Sequence, residues 1–394
     1  MKMEKGMKNE IGIYVHVPFC VRKCSYCDFY SVAGTGEEGR ERYVKAVCGE
    51  IAAKARGEGV STVYFGGGTP SLLAPAQADR ILSEVGRGFR LAPGAEISME
   101  ANPETVDAGK LASFRAAGVN RLSIGVQSFS DRLLSSLGRI HDSARAVKAV
   151  GEAREAGFDN IGVDLMFGLP GQAVEDWRGD LRRAFELPVV HLSAYELTVE
   201  EDTPFGRNPP PLPGEDEAVA MWETTLKETM RAGFGRYEVS NYAKPGRECR
   251  HNLNYWRDGE YLGFGAAAWS SRGGVRTGNP AEIGKYMEGE ARGFPPAVTD
   301  APEGRKKMAE TLMLNLRMTA GCAEAEFDAR YGQGALESFH PVLERPVVDG
   351  FLENKGGFLR FTPKGMMVAN DIWADIIGFS GPVCGGSGAG AILF

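Results

Sequence analysis

From residue 13 onward the chain alternates short apolar runs with longer amphipathic stretches. The runs IYVHV (13–17), TVYFGGG (62–68), EISMEAN (96–102), RLSIGVQS (121–128), NIGVDLMFG (160–168) and VVHLSAYEL (189–197) are rich in Val, Ile and Tyr and have the length of buried strands. Between them, residues 41–55, 77–86, 111–117, 144–156 and 177–185 read as helices. Strand and helix alternating at this spacing predict βαβ units around a parallel sheet. Six such units predict an α/β fold, an open or partial (β/α)6 barrel in place of a closed eight. Ligands of such sheets sit at the C-terminal ends of the strands, in the loops that follow.

This barrel is expected to span residues 8–240, taking in a Pro-rich loop (NPPPLPGED, 208–216) and a further helix at 221–232. Residues 241–300, with many aromatics and glycines, read as a connecting segment that carries HNLNYW (251–256). Residues 301–380 read as a small helical module with a hairpin in GFLENKGGFLRFTPKG, a winged-helix-like α+β pattern. The tail GPVCGGSGAGAILF (381–394) is expected to be disordered, because glycine-rich chain buries too little to order itself.

Charge narrows the partners. A net charge of -7 gives no reason to expect a nucleic-acid surface, which needs a local excess of Lys and Arg. No apolar run approaches the roughly 20 residues that span a bilayer. The start MKMEKGMKNE lacks the apolar region of a secretory signal. A cytoplasmic protein is expected, with docking at a membrane surface left open. Thiols stay reduced there, so clustered cysteines suggest a metal or catalytic site.

Three of the seven cysteines, Cys20, Cys24 and Cys27, lie within HVPFCVRKCSYCDFY (16–30), directly after the first strand. Cys48, Cys249, Cys322 and Cys384 are scattered, and burial is their default; Cys249, two residues before His251, is also a possible thiolate ligand. A structural zinc closes with four ligands, usually two pairs; no second pair exists here, and His16 and His251 are the candidates that could complete one. A [4Fe–4S] cluster wants one donor per iron, usually a thiolate. Three cysteines on one loop would leave its fourth iron for a ligand that is not protein, such as the amino and carboxylate groups of S-adenosylmethionine.

Other motifs fall at the same strand ends. GGGTP (66–70) follows the second strand, where glycines let backbone approach a ligand; a tight turn is the plainer alternative. Glu100, Gln127 and Asp164 stand near the ends of three successive strands, and buried polar groups of this kind require partners. Arg139 lies in the loop after the fourth strand and could pair a carboxylate bidentately.

The C-x3-C-x2-C spacing, with Tyr26 before the third cysteine, resembles the signature of the radical SAM superfamily. Over residues 11–200 the motifs are similar to those of its coproporphyrinogen dehydrogenase branch. The resemblance implies a [4Fe–4S] cluster on Cys20, Cys24 and Cys27. It implies an S-adenosylmethionine pocket lined by Tyr14, Gly67, Gly68, Thr69, Glu100, Gln127, Arg139 and Asp164. Two groups of the branch compete. The oxidase pattern adds a cysteine two residues after the third, where this chain has Phe29, and an extension ahead of the first strand that a dozen residues cannot make. Both departures favour the HemW-like, haem-handling group, and HNLNYW resembles its HNxxYW element. That likeness implies haem as ligand or cargo, haem-recipient proteins such as membrane-bound cytochromes, and an electron donor; whether the chain forms a homodimer stays open. His251 could ligate haem, flanked by the flat faces of Tyr255 and Trp256, or could equally be hydrogen-bonded in a structural turn. Relatives often carry a His after the following glycine-rich run, where GFGAAAWSS has Trp269.

Overall fold

The computed structural model describes residues 10–380, so the glycine-rich tail lies outside the described residues. Strand and helix alternate as the hydrophobic pattern predicts. In chain order come β1 (Glu10–Val17), α1 (Glu37–Lys54), β2 (Gly59–Gly67), α2 (Pro75–Gly88), β3 (Arg90–Ala101), α3 (Ala108–Ala116) and β4 (Arg121–Gln127). Then come α4 (Asp131–Ser136), α5 (Ser143–Glu155), β5 (Ile161–Phe167), α6 (Val174–Phe185) and β6 (His191–Glu196). The six strands pair in parallel in sequence order, each beside the next, which gives the partial (β/α)6 barrel. Local chemistry sharpens the helix starts: the Asp107 carboxylate accepts from the Lys110 N–H, Asp142 does the same for Arg145, and Gln77 reaches back to the Ala74 N–H.

The strands alternate between two kinds of face. Ile13 and Val15, Val63 and Phe65, Ile97 and Met99, Leu122 and Ile124, and Val163 and Leu165 point to the helices and share one core with residues such as Val47, Ile81, Phe114, Val150 and Trp177. The alternate positions are polar, aromatic or glycine: Tyr14 and His16, Thr62 and Tyr64, Glu96, Ser98 and Glu100, Arg121 and Ser123, Asp164, His191, Ser193 and Tyr195. Register sets these side by side, with Tyr14 level with Tyr64, Tyr64 with Ser98, and Ser98 with Arg121. Eight-stranded barrels fill their interior with layers of branched apolar residues. Here the lumen is polar, and cohesion comes from the helix side.

Residues 241–300 do more than connect. After α7 (Glu215–Arg231), β7 (Asn241–Ala243) adds antiparallel to β6. Beyond α8 (Arg250–Trp256), β8 (Tyr261–Phe264) pairs in parallel with β1. Then β9 (Trp269–Arg272), β10 (Val275–Gly278) and β11 (Val298–Asp300) follow in antiparallel order at that edge. A first compact unit accordingly runs through most of the chain to Asp300.

The second unit gathers Tyr237–Val239, Tyr255–Asp258 and the chain from Ala301 onward. Its elements are α9 (Gly304–Leu316), β12 (Cys322–Ala323), α10 (Glu324–Tyr331), α11 (His340–Val348), β13 (Leu352–Lys355), β14 (Phe358–Phe361) and α12 (Ala369–Gly378). The strands form a small antiparallel sheet with β14 central, the helix, strand, helix, helix, hairpin order of a winged helix. Leu312, Leu316, Phe327, Phe339, Leu359 and Ile376 fill its core. Asp258, at φ 52, buries a carboxylate that pairs with Lys307 and Arg330 at 2.8 Å each and accepts from Thr311 at 2.7 Å.

Candidate cofactor site

The loop after β1 is folded against the ends of the barrel strands. A two-residue parallel ladder joins Phe19–Cys20 to Val32–Ala33, so the cysteine segment leaves and rejoins the barrel at one place. Cys20, Cys24 and Cys27 are all free and partly exposed. The Ser25 N–H donates to the Leu137 carbonyl, and Arg22 donates to the Gly138 and Arg139 carbonyls. Burial pushes the Cys27 thiol up to about 11, and the neighbouring Cys24 and Cys20 sulfurs add to the rise. Among the described residues no three His, Cys, Asp or Glu side chains converge on a point that one ion could occupy.

GGGTP closes over this loop. Gly67 has φ 113, and a Cβ there would lie 2.5 Å from the His16 ring; a Cβ on Gly68 would lie 2.8 Å from the Phe19 carbonyl oxygen. The Gly68 N–H donates to the Val17 carbonyl and the Thr69 N–H to that of Phe19, so these glycines dock one strand-end loop onto another. The buried Thr69 hydroxyl lies 3.5 Å from the Cys20 sulfur.

The strand-end side chains form a connected rim. Glu100 accepts from the Tyr64 hydroxyl at 2.8 Å and from the Gly67 N–H at 3.2 Å; burial raises its carboxyl to about 7, and Asp164 adds to the rise. Asp164, also raised by burial, accepts from Ser193 at 2.6 Å and Ser123 at 3.0 Å. Gln127, at φ 68 where β4 bulges against β5, accepts from the Tyr195 hydroxyl at 2.8 Å. Arg139 donates to the Asn102 side-chain oxygen at 2.9 Å, the Gly125 carbonyl at 2.7 Å and the Cys24 sulfur at 3.6 Å, while its buried Nε has no partner among the described residues. Tyr14 packs nearly parallel to Tyr64 and hydrogen-bonds the His16 Nδ1 at 3.0 Å.

Several partners in this rim carry no motif signal in the sequence. Asn102, Tyr64, Ser123, Ser193 and Tyr195 matter because register puts them inward beside the anticipated residues. Period-2 alternation on the polar face was the available clue.

His16 and His251 lie in the lumen, as does His191. The His16 Nε2–H donates to the Tyr30 carbonyl, so its neutral ring accepts the Tyr14 hydroxyl at Nδ1; burial lowers it to about 4. His251 is wholly buried, with its Nδ1 2.8 Å from the Thr62 hydroxyl and its ring stacked on Tyr64 at 5.2 Å. Burial, then the charge of Arg121, lowers it to about 3. Its N–H and that of Arg250 donate to Glu96 at 3.2 Å, so a buried strand carboxylate caps α8. In this arrangement the His251 ring is neutral, fully buried and held by Thr62. Cys249 is buried against Glu96 at 3.7 Å, Tyr255 and Trp256 are buried, and Trp269 begins β9.

A parallel partial barrel that carries C-x3-C-x2-C on the loop after its first strand, with a polar rim at the strand ends, is the architecture of a radical SAM protein. Residues 14–184 match the radical SAM superfamily model and residues 304–368 the HemN C-terminal domain. Within that superfamily the chain belongs to the HemW family. It is 39% identical over 375 residues to the heme chaperone HemW of Escherichia coli (strain K12), covering 92% of this chain and 97% of that one. It is 35% identical over 376 residues to that of Bacillus subtilis (strain 168), covering 93% and 98%. Among solved structures, coproporphyrinogen III oxidase (HemN) from Escherichia coli, described as a radical SAM enzyme, superposes with a TM-score of 0.83 at 24% identity, covering 94% and 91%. That likeness shows a shared fold. Among the described residues no helix is long and apolar enough to cross a membrane.

Proposed function

We propose that this chain holds a [4Fe–4S] cluster on Cys20, Cys24 and Cys27, binds S-adenosylmethionine beside it, and carries haem to recipient proteins in the cytoplasm or at a membrane surface. The observation that carries the haem reading is likeness over nearly the whole length of the heme chaperones, barrel and C-terminal module together. Phe29 agrees: it is 58% exposed and stands where the oxidase pattern has a further thiol.

The residues present fit the cluster. The three thiols share one loop after the first strand, and each can give one sulfur to one iron of a polynuclear group. When bound, the cluster would supply single-electron chemistry to S-adenosylmethionine. The Arg139 Nε, without a partner among the described residues, is a donor left for an acceptor such as a carboxylate. Glu100, its carboxyl raised by burial, can accept a proton or a hydrogen bond from an amine. Tyr14, Gly67, Gly68, Thr69, Gln127 and Asp164 complete that pocket. Ligation of haem by His251 requires its Thr62 bond to open and α8 to move.

The test is anaerobic reconstitution, followed on one sample by iron and sulfide analysis, haem titration, and turnover of coproporphyrinogen III with S-adenosylmethionine and reductant. Iron, sulfide and a haem Soret band without turnover are expected. Turnover would favour the oxidase reading, and a Soret band unchanged in His251→Ala would remove His251 from the haem site.

A further inference from the structure

We infer that Asn102 is a positioning residue that aims two hydrogen-bond donors at two of the three cysteine sulfurs; this rests on the cluster reading above. One chain of bonds joins Cys20 to Cys24 without passing through the cysteine loop. The Arg139 Nη1 lies 3.6 Å from the Cys24 sulfur, and Nη2 donates to the Asn102 Oδ1 at 2.9 Å. The Asn102 Nδ2 donates to the Thr69 Oγ1 at 3.0 Å, and that hydroxyl lies 3.5 Å from the Cys20 sulfur.

The direction of every bond follows from one fact. A guanidinium only donates, so the Asn102 oxygen must face Arg139 and its amide NH2 must face Thr69. The Thr69 oxygen is then occupied as an acceptor, which turns its proton toward Cys20. Both ends of the chain therefore donate to sulfur, the arrangement that suits thiolates bound to metal. Surroundings hold Asn102 in this pose: its N–H donates to Ser71, its carbonyl accepts from Thr105, and a Cβ on Gly125 would come within 3.0 Å of its Oδ1. Hydrogen bonds to cluster sulfurs are one of the protein's means of setting reduction potential. Asn102 thus sets that potential without touching the cluster.

The experiment compares the reconstituted full chain with Asn102→Asp, Thr69→Val and the double variant, measuring iron and sulfide content, melting temperature and the reduction midpoint by anaerobic titration followed by electron paramagnetic resonance. An aspartate accepts from Arg139 but cannot donate to Thr69, so the hydroxyl turns to the carboxylate and Cys20 loses its donor. Each single variant is expected to keep its cluster and shift the midpoint to lower potential, and the double variant to shift no further than Asn102→Asp, since both remove the same bond. Shifts that add would mean that aspartate acts only by its charge, and would overturn the inference. An unmoved midpoint in cluster-loaded Thr69→Val would do the same. Wild-type protein without iron and sulfide would instead sink the cluster reading itself.

Discussion

The cap on α8 offers a sharp energetic test, because a single barrel side chain receives the first N–H groups of the helix. Glu96 is 6% exposed and accepts the Arg250 and His251 N–H groups at 3.2 Å each, with the Cys249 thiol at 3.7 Å. Hydrogen bonds to a charged group contribute roughly 1.5–3 kcal/mol each, and these are long ones, so the lower figure applies. Glu96→Ala should therefore weaken the start of α8 by about 3 kcal/mol. Glu96→Gln, which keeps one acceptor oxygen without the charge, should weaken it by about half of that. At about 1.4 kcal/mol per tenfold, amide hydrogen exchange across Arg250–Leu253 should quicken roughly hundredfold in the first variant and roughly tenfold in the second. Mass-spectrometric exchange on peptides covering α8, with the α6 peptide as an unperturbed control, reads this directly. An increase below about threefold in Glu96→Ala, with the control unchanged, would refute the claim that Glu96 anchors this helix.

Other predictions address different parts of the chain. Burial lifts Glu100 from 4.5 to about 7, so between these values the folded apoprotein holds a proton that the unfolded chain has released. Stability should fall as pH rises through that window, by about 3 kcal/mol from this group, and urea midpoints across pH should show the fall flattened in Glu100→Gln. In the C-terminal unit, Asp258→Ala leaves Lys307 and Arg330 without their shared carboxylate and should cost about 3–5 kcal/mol, read as a lower melting transition of that unit. Gly68→Ala places a methyl between the Phe19 carbonyl oxygen at 2.8 Å and its nitrogen at 3.0 Å, both backbone; lost iron retention without global unfolding is expected, and full loading would contradict the packing account.

The barrel was legible in the sequence because short runs rich in Val, Ile and Tyr alternate with amphipathic stretches of helical length. The same alternation brought Glu100, Gln127 and Asp164 to the strand ends near the cysteine loop. What escaped has physical reasons. Residues Tyr261–Phe264 are four residues interrupted by glycine, and their pairing with β1 is non-local, so nothing nearby in the chain marks them as sheet. Helix α7 begins at Glu215, ahead of its apolar positions, because Glu217 bonds back to the Gly214 N–H. Asn102 has no signature, since its role consists of what it joins. The identity of His251 as a His with aromatic neighbours says nothing about which side of α8 enters the barrel, and the Thr62 bond shows that its ring does.

The polar interior of the barrel bears on how its wall meets water. A barrel filled with branched hydrocarbon must stay shut, because parting its strands would wet an oily centre. Here most of the adhesive surface lies on the outside, under the helices, with a smaller apolar cluster around Met166 and Leu197, and much of the inner wall consists of groups that water can satisfy. Hydrating that wall would exchange hydrogen bonds between its side chains for bonds to water and leave the packing under the helices in place.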